Sequence, residues 1–559
     1  MVKFLPLSWC RGLAGRASGR PGRRAVLAGT GAVAASALMA LALMPAATAA
    51  AAPRVPAPAV PHLDWRACGG GFFCATAAVP LNYARPAGTK ISIAVIKHPA
   101  TDRAHRIGSL FFNPGGPGGS GLTSLRQAYS LFPPAVRARF DVVSFDPRGI
   151  GQSTVLKCFA SNKQEQRLLG PVASEAYPVG AAQQLVWEHT WARFDRACAA
   201  HAGPLLAHDS TADVARDMDL LRRAIGDPAM NYLGTSYGSY LGATYANLFP
   251  ARVRAMVLDG NANPVQWATG TGRSAAVLGT LLRQNSDEGS AAALRAFLDL
   301  CGRAPASSCA FSAGGPAATR ARFATLLGRL TRHPVTMAGT TYTKAVAVDT
   351  VVGGLYHALP IPSLENGWSD LATFLADLWT VTSGGPAPAT IPPPARDFAL
   401  AGSGVRPGAG EPYSGEESQL GVICSDSPNP RNPAEYAAQA ALASARSGVV
   451  GPDWVWPVEA CAQWPVLARD RYTGPFNRPT AAPILVVGNT VDPATPYQGA
   501  VAMSRDLADA RLLTVDGYGH TELVNPSDCV AAAEDRYFVT GALPPPGTVC
   551  HQNALPFAG

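Results

Sequence analysis

Residues 230–249 of the chain read MNYLGTSYGSYLGATYANLF. Asn231-Tyr232-Leu233 has the apolar character of a short buried strand, and Tyr240–Phe249 has the character of a helix. Between them lies a Gly-x-Ser-x-Gly pattern centred on Ser236. In a strand, sharp turn and helix arrangement, the turn lifts the serine hydroxyl clear of the sheet. The turn is too crowded for a Cβ at either of the two glycines. The stretch predicts that Ser236 is a nucleophile, and the alternative is an ordinary Gly/Ser turn.

Other short apolar runs on both sides of this turn predict further strands. They are Ile91–Ile96, Ser109–Phe112, Phe140–Phe145, Met230–Leu233, Arg254–Leu258, Pro483–Val487 and Arg511–Val515. Helical patterns lie between some of them, and Thr211–Ile225 carries an early Asp, late Arg and a following glycine. Continuous apolar strands that alternate with helices predict an α/β fold with a mainly parallel sheet.

The length of 559 residues is too great for one compact core of ordinary size. Strand and turn patterns are sparse after Asp259, where helical runs (Ala291–Leu300, Ala317–Leu330) and Pro/Gly-rich loops (Ser383–Pro394, Gly402–Pro412) dominate. We therefore predict a first core segment at 50–263, a large and mostly helical cap insertion at 264–480, and a second core segment at 481–559.

The N-terminal segment has the pattern of an export signal. Residues 1–24 contain six basic residues and no acidic one, an apolar Ala-rich run follows from Ala25 to about Met44, and the run ends at Ala47-Thr48-Ala49. Gly22–Leu27 (GRRAVL) resembles a twin-arginine motif, which favours Tat export over the Sec route. A retained anchor is the other alternative, but glycine and proline interrupt the run. We predict that residues 1–49 are removed and that the mature protein is secreted.

The net charge of +8 belongs to this segment. Removing its six basic residues leaves 40 basic against 38 acidic residues. A nearly neutral mature chain gives no electrostatic reason to expect nucleic-acid or membrane partners. The composition is 47% hydrophobic and 15% charged, which is typical of a globular protein, and we expect a monomer without stable membrane association after signal removal.

The cysteines of the mature chain are even in number, which favours disulfides in an exported protein. They are Cys68, Cys74, Cys158, Cys198, Cys301, Cys309, Cys424, Cys461, Cys529 and Cys550. Sequential pairing would close five local loops, although a sequence does not fix connectivity. Neither a Cys-x-x-Cys pair nor a His-Glu-x-x-His motif occurs, so we expect no metal and no other cofactor.

A serine nucleophile needs a base that is oriented by an acid, and on this type of sheet both follow the serine, acid first. Asp492 comes after the predicted strand Pro483–Val487, and His520 follows the strand Arg511–Val515 on a glycine-flanked loop. The sequence therefore predicts Asp492 as the acid and His520 as the base. Asp259, at the end of an earlier strand, is the alternative acid, with a turn-forming role as its other interpretation.

The developing oxyanion needs backbone N–H donors. One is expected from Tyr237, the residue after the nucleophile, and the other from the loop Asn113–Gly121 (NPGGPGGSG) after a strand. Gly116 is the first candidate in that loop and Gly115 the second. A phosphate-binding loop is the alternative, but the Gly-Lys-Ser/Thr sequence that such a loop carries does not follow.

Five segments together carry a family resemblance: NPGGPGGSG (113–121), FDPRGIGQS (145–153), GTSYG (234–238), GNTVDPATP (488–496) and GYGH (517–520). They resemble the proline-iminopeptidase-related exopeptidases of the α/β-hydrolase fold, a family S33-like group with a TAP-like C-terminal region. Within that group the chain is similar to the secreted tripeptidyl aminopeptidases of filamentous, high-GC Gram-positive bacteria, over about residues 65–555. The resemblance implies a cap insertion and the Ser, Asp, His order. Pro114 stands where the iminopeptidases carry His, which favours the tripeptidyl branch over strict proline specificity.

An aminopeptidase must also bind a free α-amino group, which calls for a carboxylate near the nucleophile. The acidic segment Ser414–Pro428 lies in the insertion, and the resemblance implies a segment like Ile423–Asp426 there. Asp426 is the first candidate for the amine and Glu417 the second, with a solvated acidic face as the alternative. The sequence thus predicts a secreted serine aminopeptidase that releases short peptides, tripeptides foremost. A carboxylesterase or lipase with the same triad and a catalytically dead binding protein are the alternatives.

Overall fold

The computed structural model describes residues 56–360, 367–390 and 413–558. The predicted export signal, residues 391–394 of the first Pro/Gly-rich loop and the whole of the second lie outside the described residues. No described helix combines the length and the apolar character that crossing a membrane requires.

The strands of the described residues are β1 (Arg66–Ala67), β2 (Phe73–Pro80), β3 (Lys90–His98), β4 (Gly108–Asn113), β5 (Phe140–Phe145), β6 (Met230–Thr235), β7 (Val253–Asp259), β8 (Val335–Met337), β9 (Thr340–Tyr342), β10 (Ile484–Val491), β11 (Ala510–Tyr518) and β12 (Val549–His551). Every strand predicted from the sequence is present. The short strands β1, β8, β9 and β12 were not predicted, and neither was β2. Its sequence, FCATAAVP, is dominated by alanine, which has a low strand propensity.

The α-helices are α1 (Gly121–Ala128), α2 (Pro134–Arg139), α3 (Asn162–Ala173), α4 (Ala181–His201), α5 (Thr211–Ile225), α6 (Tyr237–Leu248), α7 (Pro264–Ala268), α8 (Ser274–Val277), α9 (Thr280–Arg283), α10 (Ser286–Arg303), α11 (Pro316–Arg332), α12 (Lys344–Gly354), α13 (Trp368–Thr382), α14 (Glu417–Asp426), α15 (Ala434–Ser447), α16 (Tyr497–Asp506) and α17 (Asp528–Thr540). Short 3-10 helices occur at Arg103–His105, Tyr129–Leu131, Gly203–Ala207, Pro250–Arg252, Gly448–Trp454 and Trp456–Ala462.

One ten-stranded sheet organises the described chain, in the order β1-β2-β3-β5-β4-β6-β7-β10-β11-β12. The pairs among β1, β2, β3 and β5 are antiparallel, and all other pairs are parallel. Alternate residues of a strand serve opposite faces: Met256 and Leu258 join one apolar cluster, and Val257 joins the other. Burial on both faces explains the continuous apolar runs, and the predicted α/β fold with a mainly parallel sheet is confirmed.

The helix predicted at Thr211–Ile225 is α5, with the same bounds. The Ser210 side chain caps its first turn by accepting a hydrogen bond from the Asp213 N–H at 3.1 Å. Gly226 ends it in the left-handed conformation at φ 92°, which a glycine adopts without steric cost. Both ends of the helix are thus determined by local residue chemistry.

Helices dominate the chain between β7 and β10, in line with the composition of that segment. Helices α7 to α15 lie there, together with the small antiparallel sheet formed by β8 and β9. Five disulfides connect nearby parts of the chain: Cys68–Cys74, Cys158–Cys198, Cys301–Cys309, Cys424–Cys461 and Cys529–Cys550. The sequential pairing predicted from the sequence is therefore confirmed.

Candidate active site

Five neighbouring parallel strands place the predicted site residues at one edge of the sheet. In spatial order, β4 leads to the glycine loop, β6 to Ser236, β7 to Asp259, β10 to Asp492 and β11 to His520. Because parallel strands all end at the same edge, segments far apart in sequence meet there.

Ser236 has the strained backbone that a nucleophile elbow requires. It lies between β6 and α6 with φ 58° and ψ −128°, a conformation that non-glycine residues rarely adopt. A Cβ on Gly234 would come within 2.3 Å of the Gly238 carbonyl oxygen, and one on Gly238 within 2.6 Å of the Asn113 oxygen. Steric crowding therefore explains both glycines of the pattern, as the sequence predicted.

His520 and Asp492 are hydrogen-bonded to each other. The His520 Nδ1 lies 2.9 Å from both carboxylate oxygens of Asp492, and both side chains are buried. The Nδ1 atom faces the carboxylate, so the contact favours the tautomer in which Nδ1 donates to Asp492 and Nε2 keeps its lone pair. The Nε2 atom is buried and has no hydrogen-bond partner among the described residues. The imidazole is thus oriented by an acid and has a free basic nitrogen.

Thr495 adds a contact to this pair that the sequence analysis did not identify. Its hydroxyl donates to Asp492 Oδ2 at 3.0 Å and lies 3.3 Å from His520 Nδ1. The backbone N–H groups of Ala494 and Thr495 both donate to Asp492 Oδ1 at 2.8 Å. These donors fix the carboxylate in one orientation and compensate for its burial.

Asp259, the alternative acid, makes no hydrogen bond to His520. Its Oδ2 accepts from the backbone N–H groups of Glu522 and Leu523 at 2.8 and 3.3 Å. Burial raises the pKa of this carboxyl to about 7. Of the two aspartates, only Asp492 is placed to orient the imidazole.

The His520 loop is held by Asn525, a fully buried residue. Its amide nitrogen donates to the carbonyl oxygens of Tyr356, His520 and Thr521 at 2.9 to 3.0 Å, and its Oδ1 accepts from the Ala358 N–H at 2.8 Å. The side chain therefore joins the His520 loop to the segment after α12. An isolated Asn has no sequence pattern, so the sequence analysis did not identify it.

The glycine loop after β4 passes directly beside the elbow. A Cβ on Gly115 would come within 2.9 Å of Ser236 Cβ and 3.0 Å of the Tyr237 nitrogen. The Gly115 N–H donates to Asn113 Oδ1 at 3.0 Å, whereas the Gly116 N–H makes no hydrogen bond within the described part of the chain. The Gly116 donor is thus unused within the described chain, and the preceding residue, Gly115, lies beside the Tyr237 nitrogen at the start of α6.

Asp146 and Arg148 hold chain segments near the glycine loop in place through side-chain hydrogen bonds. Asp146 accepts from the Ser120 hydroxyl at 2.7 Å and from the Leu122 N–H at 3.1 Å, at the start of α1. The buried Arg148 guanidinium binds both oxygens of Asp217 at 2.7 and 2.8 Å. Asp146 thus makes turn contacts at the start of α1, and Arg148 forms a buried ion pair with Asp217.

Asp426 lies at the end of α14, and hydrogen bonds connect it to the residue that follows the nucleophile. Its buried carboxylate accepts from both the N–H and the hydroxyl of Thr211, and the same hydroxyl contacts the Tyr237 hydroxyl. Burial raises the pKa of Asp426 to about 7.

Asp209 lies close to Asp426 and was not identified from the sequence. Neither of its carboxylate oxygens has a hydrogen-bond partner in the described chain, and burial raises its pKa well above the usual value. The backbones of Gly149 and Gly421 approach it so closely that a Cβ on either would come within 2.9 Å of an oxygen. Two buried carboxyl groups therefore lie on the Tyr237 side of the elbow.

Glu417 lies at the opposite end of the same helix, about 13 Å along its axis from Asp426. The Tyr413 hydroxyl and the Cys158 N–H donate to its Oε1, the latter at 2.7 Å. Burial raises its pKa, and the carboxyl group of Glu165 lies nearby. The structure therefore does not bring the two candidate amine-binding residues together. The first turn of the helix contacts the glycine loop, where a Cβ on Gly118 would lie 3.2 Å from Gln419 Cα.

Comparison with known families agrees with this geometry. Residues 108–299 match the family model described as alpha/beta hydrolase fold, and residues 447–550 match the one described as TAP-like protein. The first match contains the glycine loop and Ser236. The second contains Asp492 and His520.

Curated relatives match over most of the chain. Serine protease Hip1 of Mycobacterium tuberculosis is 30% identical over 503 residues, which cover 86% of this chain and 88% of that protein. Tripeptidyl aminopeptidase of Streptomyces lividans is 28% identical over 520 residues, with coverages of 88% and 87%. Carboxylesterase B of M. tuberculosis is 32% identical over 493 residues, with coverages of 85% and 86%.

The relatives named as peptidases and the matching families make this chain a serine peptidase-like hydrolase. Similarity over 85–88% of the chain at these identities, together with the sheet order and the two matching segments, establishes the family. The chain belongs to the α/β-hydrolase family with a TAP-like C-terminal region, the family of the Hip1 serine protease and the tripeptidyl aminopeptidases.

Proposed function

We propose that this protein is a secreted serine exopeptidase that releases short peptides, tripeptides foremost, from free N-termini. Ser236 is the nucleophile, His520 the base and Asp492 the acid that orients it. The Asp492–His520 hydrogen bonds and the strained elbow at Ser236 support these roles. No step of this reaction requires a cofactor.

The reaction follows from the free nitrogen of the imidazole. His520 Nε2 accepts the Ser236 proton as the hydroxyl oxygen attacks the scissile carbonyl carbon, and it then protonates the leaving amine. Asp492 stabilises the imidazolium formed between these two transfers. Water, deprotonated by the same nitrogen, hydrolyses the acyl-enzyme and regenerates Ser236.

Negative charge develops on the carbonyl oxygen in both halves of the reaction. We assign its stabilisation to the backbone N–H groups of Gly116 and Tyr237. The close passage of the glycine loop beside the Tyr237 nitrogen supports this pairing, and donors fixed by the fold stabilise the oxyanion without reorganisation.

The observation that carries the exopeptidase proposal is the hydrogen-bonded chain Asp426–Thr211–Tyr237. Through the Thr211 hydroxyl, it connects the buried Asp426 carboxyl group to the side chain of Tyr237, the residue after the nucleophile. We assign Asp426 to the substrate α-ammonium group, because a buried carboxylate gains most from a cationic partner. Glu417, at the other end of α14, is the second candidate, and the insertion 264–480 is the cap that carries both.

Export and the extracellular location belong to the same proposal. Five disulfides suit an oxidising compartment. We propose export by Tat or Sec with removal of residues 1–49, followed by action as a monomer on peptide N-termini.

The test uses the purified mature protein and matched chromogenic substrates. These are free and N-acetylated mono-, di- and tripeptide anilides and a short-chain ester, each also measured with Ser236→Ala as the background. We expect turnover of the free tripeptide anilide, at least 100-fold slower turnover of its acetylated form, and none with Ser236→Ala. Asp426→Asn should raise KM for the free substrate and reduce the preference for it over the acetylated form. Glu417→Gln is the matched variant, and it should change the preference little.

The second candidate function is carboxylester hydrolysis, which the similarity to Carboxylesterase B favours. Turnover of the ester alone would move the assignment there. Equal rates of turnover for the free and acetylated anilides would contradict the exopeptidase proposal. No turnover of any substrate would support a binding protein without catalysis.

A further inference from the structure

A second cluster of polar side chains lies away from Ser236. His208 precedes α5, Asp213 lies in its first turn, and Asp470 belongs to the segment that leads to β10. His208 Nδ1, one Asp213 oxygen and one Asp470 oxygen all lie within 4.8 Å of one another. Three atoms of the types that ligate metals therefore converge from two distant parts of the chain.

The converging atoms have no hydrogen-bond partners in the described chain: His208 Nδ1, Asp213 Oδ2 and Asp470 Oδ1. The other oxygens of the two aspartates are both bound to Arg216, whose Nη1 lies 2.8 Å from Asp213 Oδ1 and 3.2 Å from Asp470 Oδ2. The Arg216 guanidinium thus fixes both carboxylates. Their other oxygens, Asp213 Oδ2 and Asp470 Oδ1, are left to face the His208 imidazole.

A proton or a metal ion between the three atoms would stabilise this arrangement. The Asp213 side chain is fully buried, and an unpaired buried carboxylate oxygen costs free energy. The Arg148 Nη1 forms an ion pair with Asp213 Oδ2 at 3.7 Å, a distance too long for a hydrogen bond. Lone pairs of three facing atoms repel one another unless a proton or a metal ion lies between them.

We propose that His208, Asp213 and Asp470 form a divalent-cation site that takes a transition metal such as zinc. Zinc binds imidazole nitrogen and carboxylate oxygen at about 2.0–2.2 Å, which separates tetrahedral ligands by about 3.5 Å. The His208 Nδ1 and Asp213 Oδ2 atoms are 3.8 Å apart, so a small shift brings both to one ion. An imidazole ligand favours zinc over calcium or magnesium, which prefer oxygen-only sites.

The site is open to solvent on one side. The side chains of His208 and Asp470 are 21% and 34% exposed, while Asp213 closes the inner side. An ion enters from this side, and water completes its coordination. The sequence motifs gave no indication of the site, because its ligands do not stand at the short spacings of a metal motif.

A bound ion connects α5 to the segment before β10. Two residues after Asp470, the Tyr472 carbonyl oxygen accepts a hydrogen bond from the Tyr240 hydroxyl at 3.4 Å. Tyr240 belongs to α6, the helix that begins at the elbow. The ion is therefore a structural cross-link beside the site and has no part in the reaction of Ser236.

The test measures metal binding by the mature protein, independently of catalysis. The protein is treated with EDTA, dialysed against zinc, and analysed for metal content and for Tm. We expect one zinc ion per chain and a rise of several degrees in Tm. His208→Gln and Asp470→Asn, both at partly exposed positions, should each lose the bound zinc and the rise in Tm.

His105→Gln is the matched control, because His105 contacts a single carboxylate, Asp102, at 2.7 Å on the surface. It should bind zinc as the natural chain does. Zinc binding that survives in His208→Gln would overturn the proposal, and so would the absence of stoichiometric zinc in the natural chain. A Tm rise caused by calcium and retained in His208→Gln would also overturn it, because the carboxylates alone would then form the site.

Discussion

The backbone N–H of Ser236 donates a hydrogen bond to the backbone carbonyl oxygen of Asp259 at 2.9 Å. The side chain of the same aspartate accepts from the N–H groups of Glu522 and Leu523, just after His520. A Cβ on the next residue, Gly260, would come within 3.3 Å of His520 Cε1. Asp259 therefore positions the elbow and the histidine loop relative to each other.

Asparagine substitutions distinguish the roles of the two aspartates. Asp259 positions the His520 loop, whereas Asp492 orients the His520 imidazole. Asp492→Asn removes the acceptor that fixes the His520 tautomer, and we expect kcat to fall by about 10³–10⁴. Asp259→Asn keeps an oxygen for the two backbone donors, and kcat should stay within about tenfold of the natural value. Initial rates on the ester and the free tripeptide anilide measure both effects. Equal losses in the two variants would contradict the assignment of Asp492.

Thr495 is expected to act through Asp492. Its hydroxyl restrains Asp492 Oδ2, so Thr495→Ala should lower kcat about tenfold with little change in KM. Thr495→Ser keeps the hydroxyl and should recover most of the activity. The comparison of kcat and KM in the two variants is the measurement. A loss of equal size in the serine variant would point to packing of the methyl group instead.

The site residues that can be predicted from the sequence are those whose chemistry depends on a local pattern. The elbow is recognisable because its glycines follow a buried strand, and Asp492 and His520 follow because the fold orders them after the serine. Asn525 and Thr495 have no such pattern, because their roles come from contacts between loops that meet only in three dimensions. The same limit applied to α14, where the sequence offered Asp426 and Glu417 as first and second candidates for the amine but did not show that they lie at opposite ends of one helix.

The contacts of Asn525 predict a stability effect. Asn525→Ala would leave the carbonyl oxygens of His520 and Thr521 and the Ala358 N–H without this partner, while the Tyr356 oxygen would keep the His520 N–H. We therefore expect a loss of about 2–4 kcal/mol in the free energy of unfolding. Asn553 is exposed and contacts only Asp528, so Asn553→Ala should cost less than about 1 kcal/mol. Urea unfolding of both variants measures the difference. Similar losses would show that Asn525 does not hold the loop.

The glycines of the elbow predict a steric effect on activity and stability. Gly238→Ala places a Cβ 2.6 Å from the Asn113 oxygen, and we expect at least a 100-fold loss of activity together with a lower Tm. Gly328 lies inside α11, where a Cβ would meet only the end of the flexible Arg332 side chain at 3.9 Å, so Gly328→Ala should leave activity unchanged and raise stability by about 0.5–1 kcal/mol. Activity and Tm of the two alanine variants are compared side by side. An active, stable Gly238→Ala protein would contradict the crowded elbow.

Burial of Asp259 predicts how stability changes with pH. Its folded-state pKa is raised from 3.8 to about 7, so the folded protein binds the proton more tightly than the unfolded chain does. The proton therefore stabilises the fold fully below about pH 4, and this contribution is lost as pH rises to about 7. At 1.36 kcal/mol per pKa unit, the loss is on the order of 2–4 kcal/mol. Burial also raises the pKa of Glu522 to about 8, which adds to the decline.

The prediction is tested by the free energy of unfolding of the natural chain and Asp259→Asn between pH 4.5 and 8.5. The amide does not ionise, so the asparagine variant should lose less stability over this range, and the two curves should differ by on the order of 2–4 kcal/mol more at pH 8 than at pH 4.5. Asp516→Asn is the control, because that side chain is 66% exposed and its replacement should leave the slope unchanged. Parallel curves for the natural chain and Asp259→Asn would mean that Asp259 is ionised in the folded protein at low pH. The two backbone donors would then outweigh the cost of burying its charge.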